Sequence, residues 1–331
     1  MSNKVNFAIY GCGMISGVHA DAINSLDKAR LIGCSDIRLS AAEAFAAKYG
    51  ICCYKSLEEI LSNDGIDVVS ICTPNGTHAD LAIKILEADK SVIVEKPMAI
   101  TVEECDRIIA SAEKSKGRVM VISQLRTSAD ILSARDIVSS GKLGKIVLCD
   151  LYMKFYRSSD YYKGSWRGTL AMDGGGAIIN QGIHGIDLLQ YIVGPVKNIK
   201  SFVKTLFHEI EAEDAAVSAV EFENGAIGVI EASTATFPGF DREIKIHGSN
   251  GYIEIRNNCI ERLIIDGQEQ ACSKYVSRGE SSNPAAVTYE EHAKQYKTLI
   301  DVLNGIDTEY VDQYEGKKAV EIIQRIYAEK E

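Results

Sequence analysis

Proline is scarce in this chain, at five of 331 residues, and tryptophan occurs once. No uninterrupted apolar stretch reaches the roughly 18 residues of a membrane-spanning helix. The opening "MSNKVNFAIYG" runs straight into a strand-like segment, without the apolar core and small-residue cleavage site of a secretory signal. Positive charge is not in excess. The formal net charge of −10 leaves no basic footprint for nucleic acid and suits an anionic membrane surface poorly. The nine cysteines are odd in number and scattered, with no Cys-x-x-Cys pair. Adjacent Cys52 and Cys53 read as strand packing, and reduced thiols in a cytoplasmic protein are expected. No grouping of His, Cys, Asp and Glu has metal-ligand spacing, so no metal is expected. What is present is ordinary for a globular protein, 46% apolar and 25% charged residues, in a chain long enough for two domains.

Through residue 124 the pattern alternates. Continuous apolar runs such as "VNFAIY", "ARLIGCS", "IDVVSICT", "SVIV" and "RVMVIS" are separated by segments of helical spacing, among them "ISGVHADAINSL" and "TVEECDRIIASAEKSKG". Apolar runs without period-2 alternation are strands covered on both faces, and the βαβ rhythm predicts a doubly wound parallel sheet. After Gln124 the texture changes. A glycine-rich segment, "MDGGGAIINQGIHGIDLLQYIVG", precedes alternating strands, including a pair around Asn224-Gly225 that predicts a two-residue hairpin. Two helices close the chain. The expectation is a first domain over 1–124 and a second, α+β domain with a large, mostly antiparallel open sheet over 125–331.

Five strand ends carry the chemistry. "YGCGMISG" places Gly11, Gly13 and Ser16 in a G-x-G-x-x-small turn between strand and helix, with Met14 and Ile15 on the first helical turn. Such a turn lets a pyrophosphate approach the backbone at a helix N-terminus. Asp36 ends the second strand, where an acid suits the ribose hydroxyls of NAD; Arg38 keeps NADP open. Thr73, Pro74 and Asn75 end the fourth strand, Glu95, Lys96 and Pro97 the fifth, and Gln124 follows the sixth. Proline stops the ladder and holds its predecessor extended, which aims Thr73 and Lys96 at the crevice where ligands of such sheets sit. Lys96 is either a donor to a reacting oxygen or a solvated lysine paired with Glu95.

"GCGMISGVHA", "TPNGTHADLAIKILEADKSVIVEKPMA" and "DGGGAIINQGIHGIDLLQYIVG" together resemble the glucose–fructose oxidoreductase / inositol dehydrogenase (Gfo/Idh/MocA) family over essentially the whole chain. The resemblance implies an N-terminal Rossmann domain, a C-terminal substrate-binding and oligomerisation domain, a nicotinamide cofactor, and a sugar, cyclitol or sugar-derivative substrate. It also implies a homodimer or homotetramer assembled through the open sheet. It gives Lys96 and His184 as the catalytic pair and sets Asn180 where the family commonly has aspartate. Asparagine orients a hydroxyl but takes no proton near neutral pH, so proton transfer falls to His184 and Lys96.

By the same resemblance Trp166 and Arg167 line the cofactor side of the site, and Tyr161 and Tyr162 are candidates to stack on the substrate ring. His19 and His78 are read as packing or cofactor-side residues, with His78 kept in the cofactor set beside Thr73 and Glu95. His208, His247 and His292 stand without a constellation. The expected activity is NAD(P)-dependent hydride transfer at a CH–OH carbon. Two alternatives share the signature: a glycoside hydrolase using NAD without net redox change, and a non-catalytic nucleotide sensor.

Overall fold

The computed structural model describes residues 4–272 and 288–329. They form two compact units, one of 4–124 with 288–317 and one of 125–272 with 318–329. A second domain running unbroken from 125 to the C-terminus is therefore corrected, because the chain returns to the first unit.

The first unit alternates as its apolar runs predict. Strands β1 (Val5–Tyr10), β2 (Ala29–Ser35), β3 (Cys52–Cys53), β4 (Val68–Ile71), β5 (Ser91–Val94) and β6 (Val119–Val121) alternate with helices α1 (Met14–Asn24), α2 (Leu39–Tyr49), α3 (Leu57–Leu61), α4 (His78–Glu87) and α5 (Val102–Ala112). The strands form one parallel sheet in the order β3-β2-β1-β4-β5-β6. Every residue of β4 and β5 is buried, which is why neither shows polar alternation. Thr101 caps α5 as predicted, its Oγ1 accepting the Glu104 N–H at 3.1 Å. The register pairs Tyr10 with Ser35 and Ile71, Ile71 with Val94, and Val94 with Val121. All the strand ends singled out by sequence thus leave the sheet along one edge, and the order reverses between β1 and β4.

Helix α9 (Glu290–Leu303) completes this unit. Its His292, Gln295, Tyr296, Leu299 and Ile300 are buried at helical spacing. Gln295 accepts the Ser123 N–H at 3.1 Å, and its Nε2 donates to the Val121 carbonyl at 3.3 Å. The Val121 N–H in turn donates to Val311 at 2.9 Å, so the β6 edge is paired rather than open. The Tyr296 ring meets Phe7 edge-on at 5.3 Å, and its hydroxyl lies 2.6 Å from Ser70 Oγ and 2.7 Å from His19 Nδ1.

The second unit contains α6 (Ala129–Ser139), β7 (Ile146–Lys154), α7 (Ser159–Tyr162), α8 (Ile183–Val193), β8 (Val196–Lys204), β9 (Ala215–Phe222), β10 (Ile227–Ser233), β11 (Glu243–Gly248), β12 (Gly251–Arg256), β13 (Cys259–Ile265) and β14 (Gln268–Glu269). The last helix, α10 (Gln313–Ala328), contributes its residues from Lys318 onward. The eight strands run β14-β13-β12-β11-β7-β10-β9-β8, antiparallel except for β7 with β10. Period-2 burial along β9 turns Ala216, Ser218, Val220 and Phe222 inward and leaves Val217 exposed. Buried Arg126 holds α8 by a two-pronged bond to Asp187 at 2.9 and 2.6 Å. The hairpin between β9 and β10 differs from the sequence expectation. The Phe222 N–H bonds to Ala226 at 2.8 Å, so the loop has three residues, and only Gly225 takes a positive φ, +86°.

Tyr296→Phe should lower the unfolding free energy by about 1–3 kcal/mol, because it strips the hydroxyl that joins two buried polar groups. Urea unfolding of the whole chain measures this.

Candidate active site

The glycine turn is built for close approach. Gly11 has φ +97°, and a Cβ there would lie 2.6 Å from the Cys72 carbonyl oxygen and 2.8 Å from Thr73 Cγ2. Two residues on the constraint vanishes: a Cβ on Gly13 would meet nothing within 4 Å. Gly13 is the N-cap of α1 and brings no side chain to the first-turn N–H groups. Open space facing unclaimed helix N–H groups suits a phosphate. Buried Ser16 closes the turn from beneath, its Oγ donating to the Gly13 carbonyl at 2.6 Å. Met14 is exposed at the head of the helix, whereas Ile15 packs on the core.

Asp36 stands beside this turn. Its Oδ2 accepts the Cys12 N–H at 2.7 Å and its Oδ1 the Arg38 N–H at 2.8 Å. The carboxylate is thereby fixed, with lone pairs remaining for sugar hydroxyls. The Arg38 side chain is 71% exposed, 3.7 Å from Asp36.

At the end of β4, Thr73 Oγ1 bonds Thr77 Oγ1 at 2.6 Å, and Pro74 begins a short 3₁₀ turn over Asn75–Thr77. His78, a candidate for the cofactor set, turns its side chain into the core. It is fully buried, with Nδ1 2.8 Å from the Pro97 carbonyl and Nε2 3.0 Å from the Thr73 carbonyl. Its ring lies between the ends of β4 and β5; burial pushes its pKa down, and a neutral imidazole with one N–H donates to one of the two carbonyls.

Glu95 likewise turns its carboxylate into the core. Its Oε1 lies 2.7 Å from His19 Nε2 and 3.4 Å from His292 Nε2, and its Oε2 accepts the Lys96 N–H at 3.1 Å. Burial pushes its pKa up, but the two imidazole bonds prevail and hold it well below the usual carboxylate range. His292, unassigned by sequence, therefore has a constellation after all. His19, Glu95 and His292 form a buried group of three potential metal-ligand atoms, which the sequence conceals across separations of 76 and 197 positions. The 2.7 Å contact between His19 and Glu95 is a hydrogen-bond distance. An ionised carboxylate only accepts, so both Nε2 atoms donate; His19 Nδ1 then accepts from Tyr296, which accepts from Ser70. All of Ser91–Ala99 is buried except Lys96, which is half-buried. The network beneath Lys96 holds its backbone.

In the second unit the glycine-rich segment forms a π-helical turn, Ala177–Gly182, before α8. Buried Glu213 anchors it, accepting the Gly176 N–H at 3.0 Å and the Ile178 N–H at 2.8 Å. A Cβ on Gly176 would lie 1.9 Å from the Glu213 carbonyl oxygen, which explains the glycine. Across 175–189 every residue is buried except Asn180, Gln181 and His184, which are half-buried. Gln181 and Asp173, which sequence reasoning did not single out, join Asn180 in one hydrogen-bond network. Asn180 Nδ2 donates to Asp173 at 2.6 Å, Gln181 Nε2 donates to Asn180 Oδ1 at 3.1 Å, and Arg157 donates to Gln181 Oε1 at 2.7 Å.

The Tyr161 hydroxyl is 3.1 Å from Gln181 Nε2, and the Arg167 guanidinium lies 4.6 Å from the Tyr161 ring and 5.3 Å from that of Trp166. Tyr162 faces elsewhere. It donates to Thr234 at 2.9 Å and packs on His208, and burial pushes its pKa up to about 12. His208 is likewise not isolated, with Nδ1 3.2 Å from Asp214 and Nε2 2.9 Å from the Arg157 carbonyl.

A parallel sheet in this strand order, with a glycine turn at its reversal point and an acid ending the next strand, defines a dinucleotide-binding protein. Residues 5–123 match the oxidoreductase family with an NAD-binding Rossmann fold, and 131–254 match the GFO/IDH/MocA C-terminal domain. The chain belongs to the GFO/IDH/MocA oxidoreductase family. It is 28% identical over 261 residues to inositol 2-dehydrogenase of Rhizobium meliloti (strain 1021), covering 76% of each chain. With myo-inositol 2-dehydrogenase of Thermotoga maritima it shares 27% identity over 282 residues, 82% of this chain and 81% of that protein. Among solved structures, the WlbA dehydrogenase from Bordetella pertussis, in complex with NADH and UDP-GlcNAcA, superposes with a TM-score of 0.89 at 29% identity, covering 99% of this chain and 96% of that one.

Burial lowers the pKa of His19, so in the folded protein it stays neutral where an unfolded histidine, near 6.5, takes a proton. Its contribution is present above that value and lost as pH falls below it. Glu95, depressed in the fold, contributes above its unfolded value of about 4.3 and loses that contribution as pH falls further. Stability should therefore decline first below about pH 6.5, by up to about 1.4 kcal/mol per pH unit for each such histidine. His19→Gln should flatten that first decline, measured as urea unfolding free energy between about pH 7 and pH 5.

Proposed function

We propose that this protein is an NAD-dependent dehydrogenase that oxidises a secondary alcohol of a sugar, cyclitol or sugar derivative to the ketone, or runs the reverse. The single observation that carries the reading is Lys96. It is a half-buried ammonium at the end of β5, in an otherwise buried nine-residue stretch, on the sheet edge that also bears the glycine turn and Asp36. The names of the relatives, inositol dehydrogenases and a levoglucosan dehydrogenase, support the substrate class.

Gly11, Gly13, Met14, Ile15 and Asp36 would hold the adenosine and pyrophosphate part of NAD, with Arg38 at the margin, and Thr73, Pro74, Asn75, Lys96 and Gln124 the nicotinamide part. Trp166 and Arg167 of the second unit would line the cofactor side. When bound, the nicotinamide supplies the hydride acceptor. The carbon loses hydride and its hydroxyl loses a proton. Lys96 donates a hydrogen bond to that oxygen and stabilises its developing negative charge. The His184 imidazole accepts the proton. Asn180 orients a neighbouring hydroxyl, and Tyr161, with Tyr162 behind it, offers a ring face to the sugar.

The finer assignments belong to the same reading. The second unit binds substrate, and its sheet mediates self-association as a homodimer or homotetramer; exposed Phe202 and Val217, paired across β8 and β9, support this. Nine free cysteines support a cytoplasmic, reducing setting. Among the described residues no helix is long and apolar enough to cross a membrane.

Lys96→Met and His184→Ala should each lower kcat by about 10²- to 10⁴-fold with NAD affinity nearly unchanged. Reduced-nicotinamide absorbance over a panel of sugars, inositols and sugar acids reads this, and wild-type turnover in both variants rejects the assignment. Asp36→Ser removes the carboxylate that a 2′-phosphate would meet. It should move the kcat/KM ratio toward NADP by about tenfold, measured with each cofactor separately.

A further inference from the structure

The asparagine at position 180 is accounted for by a carboxylate seven residues earlier. Asp173 is 1% exposed. Its Oδ2 accepts the Gly168 N–H at 2.8 Å and its Oδ1 accepts Asn180 Nδ2 at 2.6 Å. The acidic partner fixes the sense of the Asn180 amide, because the opposite flip would set a carbonyl oxygen against a carboxylate. The Asn180 carbonyl must then receive a donor, and Gln181 Nε2 supplies it at 3.1 Å. That fixes the Gln181 amide, whose carbonyl receives Arg157 at 2.7 Å. Four side chains make a one-way chain of hydrogen bonds from a guanidinium to a buried carboxylate through two amides.

We propose that Asp173 is a positioning residue for the active site, a buried carboxylate that fixes the orientation of the Asn180 amide. The inference rests on the assignment of Asn180 to the active site made above. It requires position 180 to be neutral. Aspartate there would put two carboxylates at hydrogen-bond distance in a site where one of them is almost wholly buried, and they could not both ionise. Asp173→Asn fails for a complementary reason. The amide introduced at position 173 would keep the Gly168 N–H on its carbonyl and turn an NH₂ toward Asn180, forcing that side chain to flip and setting its NH₂ against Gln181. The exchange Asp173→Asn/Asn180→Asp repairs both faults. The amide now at position 173 accepts from Gly168 and donates to the carboxylate now at position 180, which also accepts from Gln181.

The test is a double-mutant cycle on the full chain, with urea unfolding as one readout and steady-state kinetics on the substrate found by the absorbance panel as the other. Each single variant should be less stable and lower kcat by about ten- to a hundredfold. The exchanged pair should recover most of the stability and return kcat to within a few-fold of wild type. An exchanged pair no more stable than the worse single variant overturns the pairing, and that readout needs no activity. Stability recovered by the exchange while Asp173→Asn alone keeps wild-type kcat overturns the positioning role and leaves a packing role. Failure of the underlying assignment is separate: it shows as unchanged turnover in Lys96→Met and His184→Ala, whatever the cycle gives.

Discussion

The first unit depends on an ionised carboxylate in its interior. A buried charge without partners would neutralise itself or unfold its surroundings. Glu95 avoids both by drawing donors from three separate parts of the chain: His19 on α1, His292 on α9 and the backbone of Lys96. Each donor then has to be where it is. The helix that follows the glycine turn, the returning helix that seals the β6 edge and the end of the strand that presents Lys96 are bound to one point. The His78 ring fills the space between the Thr73 and Pro97 carbonyls at the ends of β4 and β5. The strand ends are held from below by imidazoles, and the upper surface is left to glycine, Asp36 and Lys96.

This division explains what the sequence could disclose. The parallel sheet, its glycine turn and the alignment of Asp36, Thr73 and Lys96 on one edge follow from local patterns: apolar runs, helix spacing and a proline after a strand. Family membership follows from three short motifs. The partners of Glu95 were hidden because hydrogen bonding across 76 and 197 positions leaves no periodicity. His78 and Glu95 sit in motifs that look cofactor-facing, yet burial turns their side chains into the core; a residue's place at a strand end does not say which side of the backbone it serves. Likewise Asn224-Gly225 marked a hairpin correctly but not its loop length, which the Phe222–Ala226 hydrogen bond sets. The return of 288–317 to the first unit was illegible for a similar reason, since an amphipathic helix declares an apolar face without declaring what it covers.

In the second unit the missed residues are again the carboxylates. Asp173 and Glu213 take donors of the π-helical turn and its N-cap, the first from Asn180, the second from Gly176 and Ile178, and Asp173 also accepts from Gly168 outside the turn. Read as a line, "MDGGGAIINQ" draws attention to its glycines. In the fold, the glycines let the backbone come down onto these acids, and the acids set the direction of the polar groups above them.

Both units therefore solve one problem in one way. A side chain that acts on substrate must be partly exposed, and partial exposure gives a long or flexible side chain rotamer freedom to lose, up to about 2 kcal/mol for a lysine. Packing around the tip would reduce that freedom but would also block the substrate. Bonding from beneath avoids that: Glu95 grips the backbone of Lys96, and Asp173 holds the Asn180 amide in one orientation while the residue stays half-buried. A carboxylate suits the task because it accepts several donors at once. Lys96 adjoins its buried acid in sequence and Asn180 adjoins one through a hydrogen bond across seven positions, so each candidate group rests directly on a buried carboxylate.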